Sequence, residues 1–372
     1  MKSLISIAIA AVLAAGAHVA SAQNDTIMKP DDTPITTKGR ITQASYQAVI
    51  YSEGGKTFTV KGTEVGDIIF GDEPPQFPRA KTAAGAGLPE KAATLFEEAL
   101  KEIETKKLRA MNKAPVLYRW ALFLADRGQI DEALAMLKRL RTECGDTWWR
   151  PDSYRKGFEF ARAKGVEAQK LVLEEMKSEP EPLASEADMG LAELAATRGE
   201  HDEALSIYNR VAGNSSSPYA DAAKLGVFRS LKTLNKSGSK SAELDAYCQK
   251  LGNDPAASPS LQQAAGAWAA GSLLEKAGKD KVKIRAAIMA AGKAIAMGPP
   301  ERKEEAEDYV AALRVAAKGY AALAGEAPKP EQKQEYKARA SGYLMEIVRA
   351  YKGTPWAEAA QLEMQTLGVQ EN

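Results

Sequence analysis

Two periodicities divide the chain. Between residues 38 and 70, polar and apolar positions alternate, as in Lys56-Thr57-Phe58-Thr59-Val60-Lys61. That spacing puts one face of a strand on a core and the other in water. The runs 38–42, 46–51 and 64–70 share the same β-rich composition, and Gly54-Gly55 supplies a hairpin turn. From residue 90 the apolar spacing changes to three and four. Leu95, Phe96, Ala99, Leu100 and Ile103 fall on one face of a helix opened by Pro89. Leu117, Trp120, Ala121, Leu124 and Ala125 line a second helix, closed by Gly128, and Ala133, Leu137 and Leu140 line a third. Further helices are expected over 261–276, 282–297, 301–324 and 331–351, with a short last one opening at Pro355. The expected organisation is a flexible lead-in at 23–34, a small β-barrel or half-barrel domain at 35–77, a linker at 78–89, and a helical domain over 90–372.

One segment recurs. GQIDEAL at 128–134 returns as GEHDEAL at 199–205, 71 residues later. That is two steps of about 35, close to the period of about 34 of a tetratricopeptide helix pair. The first copy presents Trp120, Ala121, Gly128, Ala133 and Leu137; the second presents Leu191, Ala192, Gly199, Ala204 and Tyr208. This order of large, small, Gly, Ala and large resembles the tetratricopeptide repeat. Gly165 marks a degenerate middle copy over 152–176, which departs from the pattern at Lys170. The resemblance covers residues 90–218 best and 219–372 loosely. It implies a mainly α fold, an α-solenoid of antiparallel helix pairs, each burying its apolar face on its neighbours.

The first residues read as a secretory signal. Lys2 precedes an apolar run at 4–15, and Ala20-Ser21-Ala22 is a small-residue cleavage site. A signal peptide over 1–22, cleaved after Ala22, places the chain in a periplasm or outside the cell. Its removal leaves the two charge signs balanced at 49 each, which argues against nonspecific nucleic-acid binding. No stretch beyond residue 22 is apolar for long enough to span a bilayer. The two cysteines, Cys144 and Cys248, lie about three repeats apart in this scheme. Free thiols are expected, because a disulfide needs close Cα atoms.

Catalytic sets are hard to assemble. The single histidine after residue 22, His201, falls in a turn between helices, where a solvated role is expected. Gly55-Lys56-Thr57 ends like a phosphate loop, but Ile50 stands where its first glycine belongs and a strand follows. Adjacent acids such as Glu97-Glu98 and Glu174-Glu175 point about 100° apart on a helix and read as wet surface. No metal and no cofactor is expected. Trp148-Trp149 lie between repeats and suit either a seam plug or a partner contact.

In the family, the concave wall comes from first-helix residues that face away from the second helix. Carried onto the matching copies, these are Tyr118, Leu122 and Asp126, then Arg155, Glu159 and Arg162, then Glu186, Met189 and Glu193. Their mixed charge here resembles a groove for an extended polypeptide, with ordinary solvated helix surface as the alternative. The expected function is a non-catalytic protein–protein interaction scaffold. A glycan-cleaving envelope enzyme with a carboxylate site, or a self-assembling subunit, are the alternatives.

Overall fold

The computed structural model describes residues 24–235, 240–252, 254 and 256–368. The expected signal peptide lies outside the described residues. The chain divides into two compact units at Val172–Leu173, not at the linker expected before residue 90.

The N-terminal unit opens with five antiparallel strands in the order β4-β3-β2-β1-β5. They are β1 (Asp25–Met28), β2 (Pro34–Ala44), β3 (Ala48–Glu53), β4 (Lys56–Lys61) and β5 (Asp67–Ile69). The segment expected as a flexible lead-in thus contributes a strand paired on both sides, to β2 and to β5. Along β2 the inward positions are Gly39, Ile41 and Ala44, with the extra residue absorbed at a register shift between Ile41 and Gln43. Gly54 and Gly55 take the positive φ that a tight hairpin demands. The strand after Thr57 removes the phosphate-loop reading.

The expected linker is also structured. α1 (Gln76–Gly85) buries Phe77, Ala80 and Ala83, and packs on α2 (Pro89–Thr105). Its proline sits in the first turn, where no helical hydrogen bond is lost. Five short strands cannot enclose a core of their own. They use one face against helices instead. Ile27, Ile41, Val49, Ile68 and Phe70 of the sheet segment share a single core with Phe96, Leu117, Leu137 and Trp149. The β segment is therefore part of a mixed unit rather than a separate domain.

A buried ion cluster fastens the sheet to the helices. Asp25 is fully buried on β1. Arg109, in the turn after α2, meets its carboxylate through two bonds of 2.6 and 2.8 Å. The same guanidinium donates to Asp72 through Nε and to the Ile41 carbonyl. Backbone amides of Ile41 and Gly71 complete Asp25. Burial works to raise Asp72, but hydrogen bonds from Arg109 and Asn112 outweigh it and hold that carboxyl below its ordinary range.

Helices α3 (Lys113–Asp126), α4 (Ile130–Glu143), α5 (Arg150–Ala161) and α6 (Val166–Met176) follow. The C-terminal unit carries α7 (Leu183–Thr197), α8 (His201–Gly213), α9 (Ala220–Leu234), α10 (Ser241–Gly252), α11 (Pro259–Glu275), α12 (Lys281–Ile295), α13 (Glu307–Gly325), α14 (Pro330–Ala350) and α15 (Pro355–Leu367). The recurring heptapeptides sit in like settings. Gly128 has φ 74° and Gly199 φ 81°. The amide of Gln129 donates to the Leu124 carbonyl at 3.0 Å, and that of Glu200 to Ala195 at 2.9 Å. Both are the closing bonds of a glycine-capped helix end. A three-residue turn between helices that pack along their length makes each pair antiparallel, as in α3–α4 and α7–α8.

Within the C-terminal unit each helix from α7 to α15 packs on the next, and α11 also meets α9 and α13 directly. First helices therefore form a row of their own. Small residues set the spacing: a Cβ on Gly226 of α9 would lie 2.5 Å from the Tyr208 ring of α8.

Candidate docking surface

The α3 residues Tyr118, Leu122 and Asp126 lie on one stripe, four apart. They differ in availability. Tyr118 is buried, and its hydroxyl donates to the Asp152 carboxylate at 2.6 Å. Burial, reinforced by that carboxylate, pushes the phenol well above its ordinary range. Leu122 is half-buried against the core, and Asp126 is exposed. On α5 and the turn after it, Arg155, Glu159 and Arg162 are all exposed, with Glu159 2.7 Å from Lys156. Only the charged members of this set are open to a partner. Tyr118 is instead a tie between α3 and α5.

The tryptophan pair is not an open contact. Trp149 is 3% exposed, with ring centres 6.1 Å from Phe70 and 5.3 Å from Trp148. The Trp148 indole N–H donates to the Gly62 carbonyl, and its backbone amide donates to Ala44. Both plug a seam, but it is the seam between helices and sheet rather than one between repeats. The sequence held no sign of this, since the sheet residues they touch lie about 80 to 100 positions earlier.

In the C-terminal unit, α7 presents Glu186, Met189 and Glu193. Glu186 accepts at 3.1 Å from the hydroxyl of Tyr219, the residue just before α9. Met189 is half-buried against the local core. Burial raises the Glu193 carboxyl, and Arg229 of α9 partly offsets it. The charge of Arg229 also reaches Asp308 on α13, whose carboxyl is raised by burial with Lys232 opposing. Lys232 stands 2.8 Å from Glu307 and 3.7 Å from Asp308. Farther along, Arg314 of α13 pairs with Glu363 of α15 through bonds of 3.0 and 3.1 Å.

Carboxylates of α7, cations of α9 and carboxylates of α13 thus follow one another, with α11 packed against the last two helices. Glu186, Met189 and Glu193 belong to this row, but Arg229, Lys232 and Asp308 were missed. Extending the same stripe past Leu225-Gly226 into α9 would have reached Arg229. Asp308 is 79 positions from Arg229, and no local spacing relates them.

Among the described residues no group of three His, Cys, Asp or Glu is placed to hold a metal ion. Cys144 and Cys248 are free, and burial raises both thiols, to about 11 and about 12. His201 is half-buried in the first turn of α8, with Nδ1 buried and lacking a hydrogen-bond partner, so it is less solvated than expected. Glu97, Glu98 and Glu174 lie on exposed surface and Glu175 is half-buried.

No protein-family profile matches this sequence, and no curated protein matches it. Among solved structures it is similar to the crystal structure of the P58(IPK) TPR domain, at 15% identity and TM-score 0.31, with 78% of each chain covered. It is also similar to the nearly identical TPR-like repeats of a Podosopora anserina putative kinesin light chain. That match has 13% identity and TM-score 0.17, and covers 72% of this chain and 92% of the other. By its own helix pairs and matched glycine turns, the chain has a mainly α, tetratricopeptide-like fold with an N-terminal antiparallel sheet.

Proposed function

We propose that this chain is an exported, non-catalytic scaffold that docks a polypeptide partner in the cell envelope through its first-helix row. One observation carries the reading: charges of both signs alternate from α7 to α9 to α13, and Arg229 acts on both Glu193 and Asp308. An extended polypeptide offers carbonyls, amides and side-chain charges at intervals that such a row can meet.

A photo-crosslinking side chain at position 193, on the row, should form a defined adduct in the native host. The same group at exposed Glu203 on α8 should not. Equal labelling at both positions would remove the row as the docking surface. Arg229→Glu should abolish the adduct without lowering the helical circular dichroism. Export rests on the leader segment alone, and N-terminal sequencing of the cellular protein should begin at Gln23.

A further inference from the structure

The first part of helix α12 is apolar on two opposite faces. Ile284, Ala287, Ala291 and Ala294 are buried, with α11 and α13 as neighbours. Half a turn around, Val282, Ala286 and Met289 mark an open stripe along the first part of the helix, with Val282 75% and Met289 67% exposed; exposed Lys293 takes the next position on that stripe, and Met297 lies just past the helix end. A helix on a protein surface normally shows polar residues there.

Cations frame the stripe. Lys279, Lys281, Lys283, Arg285 and Lys293 lie along this segment, and Asp280 is the one carboxylate between residues 276 and 297. Asp280 is engaged in capping the helix, accepting from the amides of Val282 and Lys283 at 2.9 and 3.3 Å. The Lys281 ammonium reaches the Glu326 carbonyl at 2.7 Å, and Lys283 stands 3.9 Å from Asp280. Arg285 and Lys293 have no ion-pair partner among the described residues, and both are exposed.

We infer that the outer face of α12 docks on an anionic lipid surface. The charge decides the occupant. A second copy of this face would set cations against cations, and a groove-bound peptide needs walls from two elements, where this stripe belongs to one helix. An anionic bilayer meets both features. Val282, Met289 and Met297 enter the headgroup boundary, while the long basic side chains reach outward to phosphates. Attachment is peripheral, since no described helix is long and apolar enough to cross a membrane. This inference does not depend on the scaffold reading, because the first-helix row and α12 are different surfaces of the unit.

The test is co-sedimentation of the full chain with vesicles of phosphatidylcholine alone and of phosphatidylcholine mixed with phosphatidylglycerol. Binding is expected on the mixed vesicles only, and it should weaken with salt. Lys283→Glu with Arg285→Glu should lower partitioning at least about tenfold. Met289→Ser should lower it at every salt concentration. These side chains are exposed, so both variants should keep the parent's unfolding midpoint. Equal partitioning on both vesicle types, absence of binding, or an unaffected charge variant would overturn the inference. So would capture of an acidic polypeptide by this face while vesicles are ignored.

Discussion

The two units solve one packing problem with opposite materials. In the N-terminal unit, the helices meet the sheet through large side chains and a buried charge cluster. Phe70, Trp148 and Trp149 form one seam, Phe96 stacks on Trp120 with ring centres 6.0 Å apart, and Arg109 joins Asp25 to Asp72. In the C-terminal unit, α11, α12 and α13 meet through Ala267, Ala270, Ala291, Ala294, Ala312 and Ala316, all buried. Helices separated only by methyl groups approach closely and leave no slack. A seam of aromatics and paired charges is vulnerable to loss of a group, and a seam of methyls is vulnerable to gain of one.

The largest effect is expected where a charge would be stranded. Arg109→Ala leaves Asp25, fully buried, without its cation. Removing one member of a buried ion pair typically costs about 3–5 kcal/mol. Urea unfolding should show the N-terminal unit melting early while the transition of the C-terminal unit stays in place. A single undisplaced transition would mean that the cluster does not hold the sheet to the helices.

Next comes the reverse experiment in the methyl-spaced unit. A Cβ at Gly226 would meet three Tyr208 ring atoms at 2.5 to 2.7 Å, and a planar ring can move aside only by leaving its slot. Gly226→Val should cost about 1–3 kcal/mol by overpacking. Gly292 of α12 is the internal control, with nothing within 4 Å of its added Cβ. Gly292→Ala should instead stabilise the same unit by about 0.5–1 kcal/mol, the ordinary gain from replacing a mid-helix glycine. Opposite signs at two helical glycines, read from chemical unfolding, would establish that close approach rather than helix propensity governs this unit.

What could be read from sequence follows the range of the interaction that fixes it. Turn glycines act on residues five apart, so Gly128 and Gly199 gave away the repeat and the helix pairs around them. The last helices were also legible, because Pro330 and Pro355 open them from within their own first turns. β1 was not. Four residues among polar neighbours carry no periodicity, and this strand is fixed by pairing to β2 and β5 and by an arginine 84 positions away. The same limit explains the docking row. Glu193 and Arg229 were each within reach on their own helices, whereas their pairing required knowing that α7 and α9 share a surface. Tyr118 shows the converse error, since a position carried over from the resemblance as facing a partner here faces Asp152. The two tryptophans, read as a seam plug or a partner contact, do plug a seam, but against a sheet that no local pattern placed beside them.

The smallest effect sharpens the comparison through pH. Two carboxylates, one in each unit, are buried differently. In the N-terminal unit, hydrogen bonds from Arg109 and Asn112 overcome burial and hold Asp72 low. In the C-terminal unit, burial prevails at Asp308, and Lys232 at 3.7 Å only partly offsets it. A carboxyl raised on folding favours the folded state below its unfolded value, 3.8. That contribution is lost as pH rises from there through the raised value, because the folded state must then ionise a group that burial disfavours. Asp308→Asn removes the ionisation while keeping the shape. Its unfolding midpoint should match the parent's in acid and exceed it progressively toward neutral pH, in the transition of the C-terminal unit alone. A difference that stayed flat with pH would mean the carboxyl ionises as freely in the folded chain as in the unfolded one. Asp308 would then be solvated, and the desolvated carboxylates that distinguish the first-helix row would reduce to Glu193.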